Sequence, residues 1–182
     1  MSTTPLSSRV SGHENALLPF MAKVGIGPTS AKQLSRDEAR AAMDAVLSGD
    51  FHPVTFGAFF MGLRYKGETP EELAGFLDAM YARQVQATKP APDGLLNCAG
   101  AYDGKSRTCN IGIAAALVTV AAGVPVVLHG TRGVPTKFGM TTSHVLKALG
   151  VGVTRTVDEV GDDLHSIGIG YVDQSVFNPD MH

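Results

Sequence analysis

The chain has 182 residues, 44% of them hydrophobic and 18% charged, with a formal net charge of −2. That composition suits a globular chain of one domain, or of a small domain plus part of a larger one. It excludes a global basic field that would draw in nucleic acid, and no apolar run approaches the roughly 20 residues of a membrane-spanning helix.

The opening residues, MSTTPLSSRVSGHEN, are small and polar and lack the apolar centre of a signal peptide. They read as a flexible tail, and the protein as cytoplasmic. Ala16 to Val24 reads as a short helix interrupted by Pro19, so that residues 1–30 hold a tail and a first helix. Residues 31–91 read as a helical domain. Ser35 to Glu38 spells a capping box, in which a serine oxygen accepts from a free helix amide and a glutamate three residues on reaches back. Ala39, Ala42, Met43, Val46 and Leu47 follow at helical spacing. Pro53 opens a second apolar stripe through Val54, Phe56, Phe59, Phe60 and Leu63. Thr69-Pro70-Glu71-Glu72 is a second capping box, followed by Leu73, Phe76, Leu77, Met80 and Tyr81. The phenylalanines and methionines are expected in the core, with a dimer surface as the other assignment, because a bundle this small has little interior.

Pro90 and Pro92 disfavour helix in the linker 84–94, and composition then shifts to glycine-rich α/β material, which places a boundary near residue 92. Leu95 to Cys98, Val124 to Leu128 and Leu164 to Val172 read as strands; Cys109 to Ala122, Thr141 to Leu149 and a turn from Thr156 read as helices. The fold class is α/β: a small amino-terminal helical bundle, then the first part of a mainly parallel sheet domain over residues 92–182. With two or three strands the sheet reads as cut short. Cys98 and Cys109 flank a loop without a second ligand pair, so they read as reduced, buried packing residues, not a zinc site. Asp158, Glu159, Asp162 and Asp163 read as a solvated acidic helix face. His144 and His165 read as structural.

Two polar, glycine-containing loops carry the candidate chemistry. The first runs Gly100-Ala101-Tyr102-Asp103-Gly104-Lys105 and opens a helix, whose free amides attract anions. The second follows a strand and holds His129, Gly130, Arg132, Thr136 and Lys137. If both preceding strands are parallel, both loops open on the sheet edge where α/β folds bind ligands. Glycine permits close approach of backbone amides to phosphate oxygens, and Arg132 can grip phosphate bidentately. Asn110 adds a polar group at the start of the helix. The expected ligand is a phosphorylated small molecule.

At these residues the chain resembles the anthranilate phosphoribosyltransferase group, glycosyltransferase family 3, from about Leu34 to its last residue. GAYDGK at 100–105 stands where the family has a GTGGDG diphosphate loop, Asn110 to Ile113 where it has NIST, Leu128 to Arg132 where it has KHGNR, and Phe177 to Met181 near its HPAM segment. Tyr102, Gly112, Ile113, Leu128 and Thr131 depart from those motifs and mark a divergent branch. The resemblance implies transfer of a phosphoribosyl group from phosphoribosyl diphosphate to an aromatic amine, in tryptophan biosynthesis or a related step, by a magnesium-using homodimer. In that scheme residues 100–104 hold diphosphate and ribose, Asn110 contacts ribose, His129 and Gly130 border the amine pocket, and Arg132 and Lys137 bind phosphate. The family's magnesium-binding acidic pair lies beyond the HPAM segment, so the chain reads as a fragment or a shortened gene product. A non-catalytic nucleic-acid- or nucleotide-binding member of the same fold is the alternative.

Overall fold

The computed structural model describes residues 15–27, 29–100, 105, 107–131 and 138–181. They fall into two units, Met1–Arg83 and Gln84–His182. The division lies at Arg83, not near residue 92, because the proline-rich stretch is hydrogen-bonded along the second unit. Val85 N donates to the Phe177 carbonyl at 2.9 Å, Thr88 N and Oγ1 donate to Asp158 Oδ1 at 2.7 and 2.8 Å, and His165 Nε2 lies 3.0 Å from the Pro90 carbonyl.

The first unit contains α1 (Leu18–Val24), α2 (Arg36–Leu47), α3 (Pro53–Lys66) and α4 (Pro70–Ala82). Pro19 does not interrupt α1; it sits in the first turn, where its missing N–H removes no helical hydrogen bond. Both capping boxes are formed, Ser35 with Glu38 and Thr69 with Glu72. Helices α2 and α4 pack closely at Gly75, where an added Cβ would lie 2.2 Å from the Arg36 carbonyl oxygen. Leu17, Leu34, Phe59, Leu63 and Phe76 fill the core.

The aromatic stripe of α3 divides. Phe59 is fully buried, whereas Phe56 and Phe60 are about a third exposed. Val54, Met61 and Tyr65 on α3 and Leu73, Leu77 and Tyr81 on α4 are exposed as well. A bundle this size encloses one side of each helix and leaves the rest of an all-round apolar helix outside. The expectation that every phenylalanine and methionine lies in the core is corrected accordingly.

One buried ion pair ties this unit together. Glu72 is fully buried, and the Lys66 side chain is 3% exposed. Glu72 Oε1 accepts from Leu34 N at 2.7 Å, while Oε2 accepts from Lys66 Nζ at 2.7 Å and from Thr69 N at 2.9 Å. Lys66 Nζ also donates to Gln33 Oε1 and to the Gly67 carbonyl. Burial raises the Glu72 pKa, but the Leu34 amide, Lys66 and the Thr69 amide outweigh it and hold the carboxyl below its ordinary value.

The second unit is a three-stranded parallel sheet of order β1-β2-β3, from β1 (Leu96–Ala99), β2 (Val126–Gly130) and β3 (Ile169–Asp173). Helix α5 (Gly112–Ala121) joins β1 to β2, and α6 (Thr142–Ala148) and α7 (Val157–Ile167) join β2 to β3. A short α8 (Gln174–Phe177) and a 3-10 turn at Pro179–Met181 follow. Ile113, Val126, Leu128, Leu146, Val153 and Tyr171 form its core. The segment expected as a strand from Leu164 is helix as far as Ile167. Gly168, at φ 76°, ends α7 in the left-handed conformation, and β3 starts one residue later.

The acidic residues of α7 are engaged instead of merely solvated. Asp158 accepts from Thr88, Glu159 caps its own helix at Thr156, Asp162 pairs with Lys89, and Asp163 pairs with Arg155 at 2.8 Å. Among the described residues no helix is long and apolar enough to cross a membrane.

Candidate functional site

In parallel strands of sequential order the loops leaving β1 and β2 share one edge of the sheet. Hydrogen bonds join them directly. Gly100 N donates to the His129 carbonyl at 3.0 Å. Farther out, Lys105 and Met140 exchange backbone hydrogen bonds at 2.9 and 3.0 Å as an antiparallel bridge. The two loops singled out in the sequence therefore meet.

Between them lies a cavity of about 550 Å³. Gly100, Lys105, Asn110, Gly112, Gly130 and Thr131 are on its wall. Helix α5 begins at Gly112, three residues after Cys109, because Asn110 and Ile111 turn the chain in ahead of it. The N-cap is Ile111, which has no side-chain oxygen to accept from the first-turn amides. Asn110 Oδ1 lies 3.4 Å from Gly112 N, a long contact for a hydrogen bond. The positive end of α5 thus opens on the cavity without a side-chain cap among the described residues, which suits an anion.

His129 and Gly130 are neighbours on β2, so they face opposite sides of the sheet. Gly130 borders the cavity. His129 does not line it; its ring packs edge-on against Phe177 at 5.5 Å between centroids. Burial lowers the His129 pKa below the ordinary histidine value, so the imidazole is neutral at pH 7. Ala101, Tyr102, Asp103, Gly104, Arg132, Thr136 and Lys137 lie outside the described residues. Of the sequence candidates the structure therefore brings together Gly100, Asn110 and Gly130, with His129 behind the wall.

The two cysteines are free thiols on the same cavity. Cys98 is half-buried against the second core, but Cys109 is exposed, because it precedes the helix and not, as expected, within it. Thr141, Met140 and Tyr171 also reach the cavity and were not singled out in the sequence. Thr141 had a visible signal, a threonine directly before a helical run. Its Oγ1 lies 2.9 Å from Ser143 Oγ and 2.9 Å from His144 Nδ1, which also accepts from Thr141 N at 3.2 Å. His144 therefore caps α6.

Among the described residues no three His, Cys, Asp or Glu side chains are grouped to hold a metal ion.

Residues 19–83 match the model of the glycosyl transferase family helical bundle domain, and residues 98–182 that of the family's a/b domain. The anthranilate phosphoribosyltransferase of Rhodopseudomonas palustris (strain BisA53) is 38% identical over 165 residues, covering 91% of this chain and 47% of that protein. The anthranilate phosphoribosyltransferase of Rhodococcus jostii (strain RHA1) is 40% identical over 153 residues, covering 83% and 41%. The crystal structure of anthranilate phosphoribosyltransferase from Thermus thermophilus superposes with a TM-score of 0.73 at 28% identity, over 92% of this chain and 48% of that one. The Saccharomyces cerevisiae enzyme in complex with PRPP and Mg shares the fold, with a TM-score of 0.72 at 19% identity, over 91% of this chain and 48% of that one. The chain spans about half the length of the curated relatives it matches.

Proposed function

The chain belongs to the glycosyl transferase family, through both the helical bundle domain and the a/b domain, and from that premise we propose that it takes part in phosphoribosyl transfer from phosphoribosyl diphosphate to an aromatic amine. The observation that carries this reading is the cavity between the two bridged loops, onto which the amino end of α5 opens with no side-chain cap among the described residues. Diphosphate departs as positive charge builds on the ribose carbon, and the amine takes its place, so no protein nucleophile is required. Catalysis then rests on holding the leaving group and orienting the amine.

The α5 amides and Lys105 face the diphosphate. Gly100 lets its oxygens approach the backbone, Asn110 faces the ribose, and Gly130 borders the amine. The neutral His129 ring backs that border without a charge of its own. The step fits tryptophan biosynthesis in the cytoplasm. Magnesium accompanies PRPP in the yeast relative, but the described carboxylates of this chain do not assemble a site for it: those of α7 are taken up by Thr88, Thr156, Lys89 and Arg155.

A second copy of the chain is the proposed cover for the apolar surface of α3 and α4, where Val54, Tyr65 and Tyr81 are each more than half exposed. Sedimentation should then give a homodimer that dissociates in a Tyr65→Asp variant.

The functional test is calorimetric titration of phosphoribosyl diphosphate into the folded chain. Saturable heat that is lost in Arg132→Ala supports the reading. A folded protein that takes up neither phosphoribosyl diphosphate nor diphosphate sinks it.

A further inference from the structure

The carboxyl end of β3 holds two buried polar side chains, Tyr171 on the cavity wall and Asp173, to which the proposed reaction gives no role. Tyr171 is 5% exposed and Asp173 2%. The Tyr171 ring belongs to the second core, and its hydroxyl lies 3.3 Å from Asp173 Oδ2 and 3.4 Å from the Gly130 carbonyl oxygen. The strand register sets Gly130 beside Asp173. On its other oxygen, Asp173 Oδ1 accepts from Ser175 N at 3.2 Å and from Ser175 Oγ at 2.7 Å, which caps α8. Helix α8 ends with Phe177, the residue whose ring meets His129.

These contacts form a loop that starts at one residue of β2 and ends at its neighbour. Gly130 and His129 point to opposite sides of the sheet. Asp173 and the Gly130 carbonyl oxygen share the single Tyr171 hydroxyl proton in two long contacts, and Asp173 reaches His129 through Ser175, α8 and Phe177. Burying a carboxylate is costly unless it is well hydrogen-bonded, and the core positions around Tyr171 are apolar. Among the described residues the Asp173 carboxylate is met by Ser175 N, Ser175 Oγ and the Tyr171 hydroxyl.

We infer that Asp173 is a positioning residue, which fixes Gly130 in the cavity wall through Tyr171 on one side and His129 behind that wall through α8 on the other. That this wall borders the amine rests on the transferase reading; that Asp173 holds it does not.

The test uses Asp173→Ala, Asp173→Asn and Tyr171→Phe in the full chain, each checked for folding by circular dichroism. NMR follows the His129 Cε1–H signal, assigned with His129→Gln, and the Thr131 amide beyond the Gly130 carbonyl. In Asp173→Ala the His129 signal should move towards its free-histidine position while the His144 signal stays in place. Asp173→Asn, whose amide oxygen still accepts from Ser175, should restore it. Tyr171→Phe should shift the Thr131 amide and leave His129 unmoved. In transfer assays Asp173→Ala should raise KM for the amine about 10- to 100-fold, with KM for phosphoribosyl diphosphate unchanged.

Unmoved His129 and Thr131 signals in folded Asp173→Ala would overturn the inference. So would equal shifts at every histidine, which would mean general loosening. If Asp173→Ala does not fold, an unmoved Thr131 amide in Tyr171→Phe overturns it by itself. A wild-type chain that transfers nothing would refute the transferase reading, while the NMR comparison would still decide whether Asp173 holds the wall.

Discussion

Replacing Glu72 by alanine is expected to cost the helical unit about 3–5 kcal/mol, the usual result of removing one partner from a buried ion pair. The structure shows why the cost falls at the high end of single substitutions. Truncation strands the Lys66 ammonium, 3% exposed, with only the neutral oxygens of Gln33 and Gly67. It also removes the acceptor for the Leu34 amide and for the Thr69 amide at the start of α4. Urea and thermal unfolding followed by far-UV circular dichroism measure the loss. At about 4–8 °C per kcal/mol for a unit of this size, the melting transition should fall by roughly 12 °C or more. Replacing both partners, as Lys66→Met with Glu72→Met, should recover much of that, because no buried charge is left uncompensated. The pH profile gives an independent check. The folded pKa of Glu72 is depressed, so its stabilisation is complete above the unfolded value and lost as pH falls through the folded one. Glu72→Gln should flatten that acid limb. A loss below about 1 kcal/mol in Glu72→Ala would refute the claim that this pair holds the unit together.

Gly75→Ala should destabilise the same unit by about 1–3 kcal/mol, since its Cβ would lie 2.2 Å from the Arg36 carbonyl oxygen and 2.8 Å from Ala39 Cβ; a melting temperature equal to wild type would show that α2 and α4 separate without cost. Thr156→Ala removes the side chain that accepts from Glu159 N and should cost about 1 kcal/mol, read as lower thermal stability. The His129 imidazole should titrate by NMR below the ordinary value of about 6.5. With its folded pKa lowered, it is neutral at pH 7, and its contribution to stability declines as pH drops below the unfolded value. A midpoint at or above that value would contradict its burial.

Local signals carried much of the fold. Ser35 with Glu38 and Thr69 with Glu72 were readable as helix starts because a capping box lies within four residues of chain. The two loops were readable as partners because alternating strand and helix leave few topologies. Interactions that join distant segments were not readable. Nothing near Glu72 announced that Leu34 and Gln33 would close over it and Lys66. Asp173 stood in a short apolar run and showed no sign of its hydrogen bonds to Tyr171 and Ser175. The segment ahead of β3 misled because SIGIGYV is apolar enough for either a strand or the end of a helix, and period alone does not separate short runs. From sequence His129 belongs to the pocket border, since its neighbours suggest one site; the two-residue alternation of β2 turns it to the other face.

The order β1-β2-β3 bears on how the second unit is made. Among the described residues β2 pairs with β1 across one helix, and β3 with β2 across two. Pairing can follow the order of synthesis, β2 closing on β1 before β3 has left the ribosome. Assembly is then stepwise, and the cavity walls at Gly100 and Gly130 come together at the first of those steps. The residues that brace them from β3 arrive at the second. A substitution on β1 or β2 should therefore slow folding, whereas one at Asp173 should act mainly by hastening unfolding.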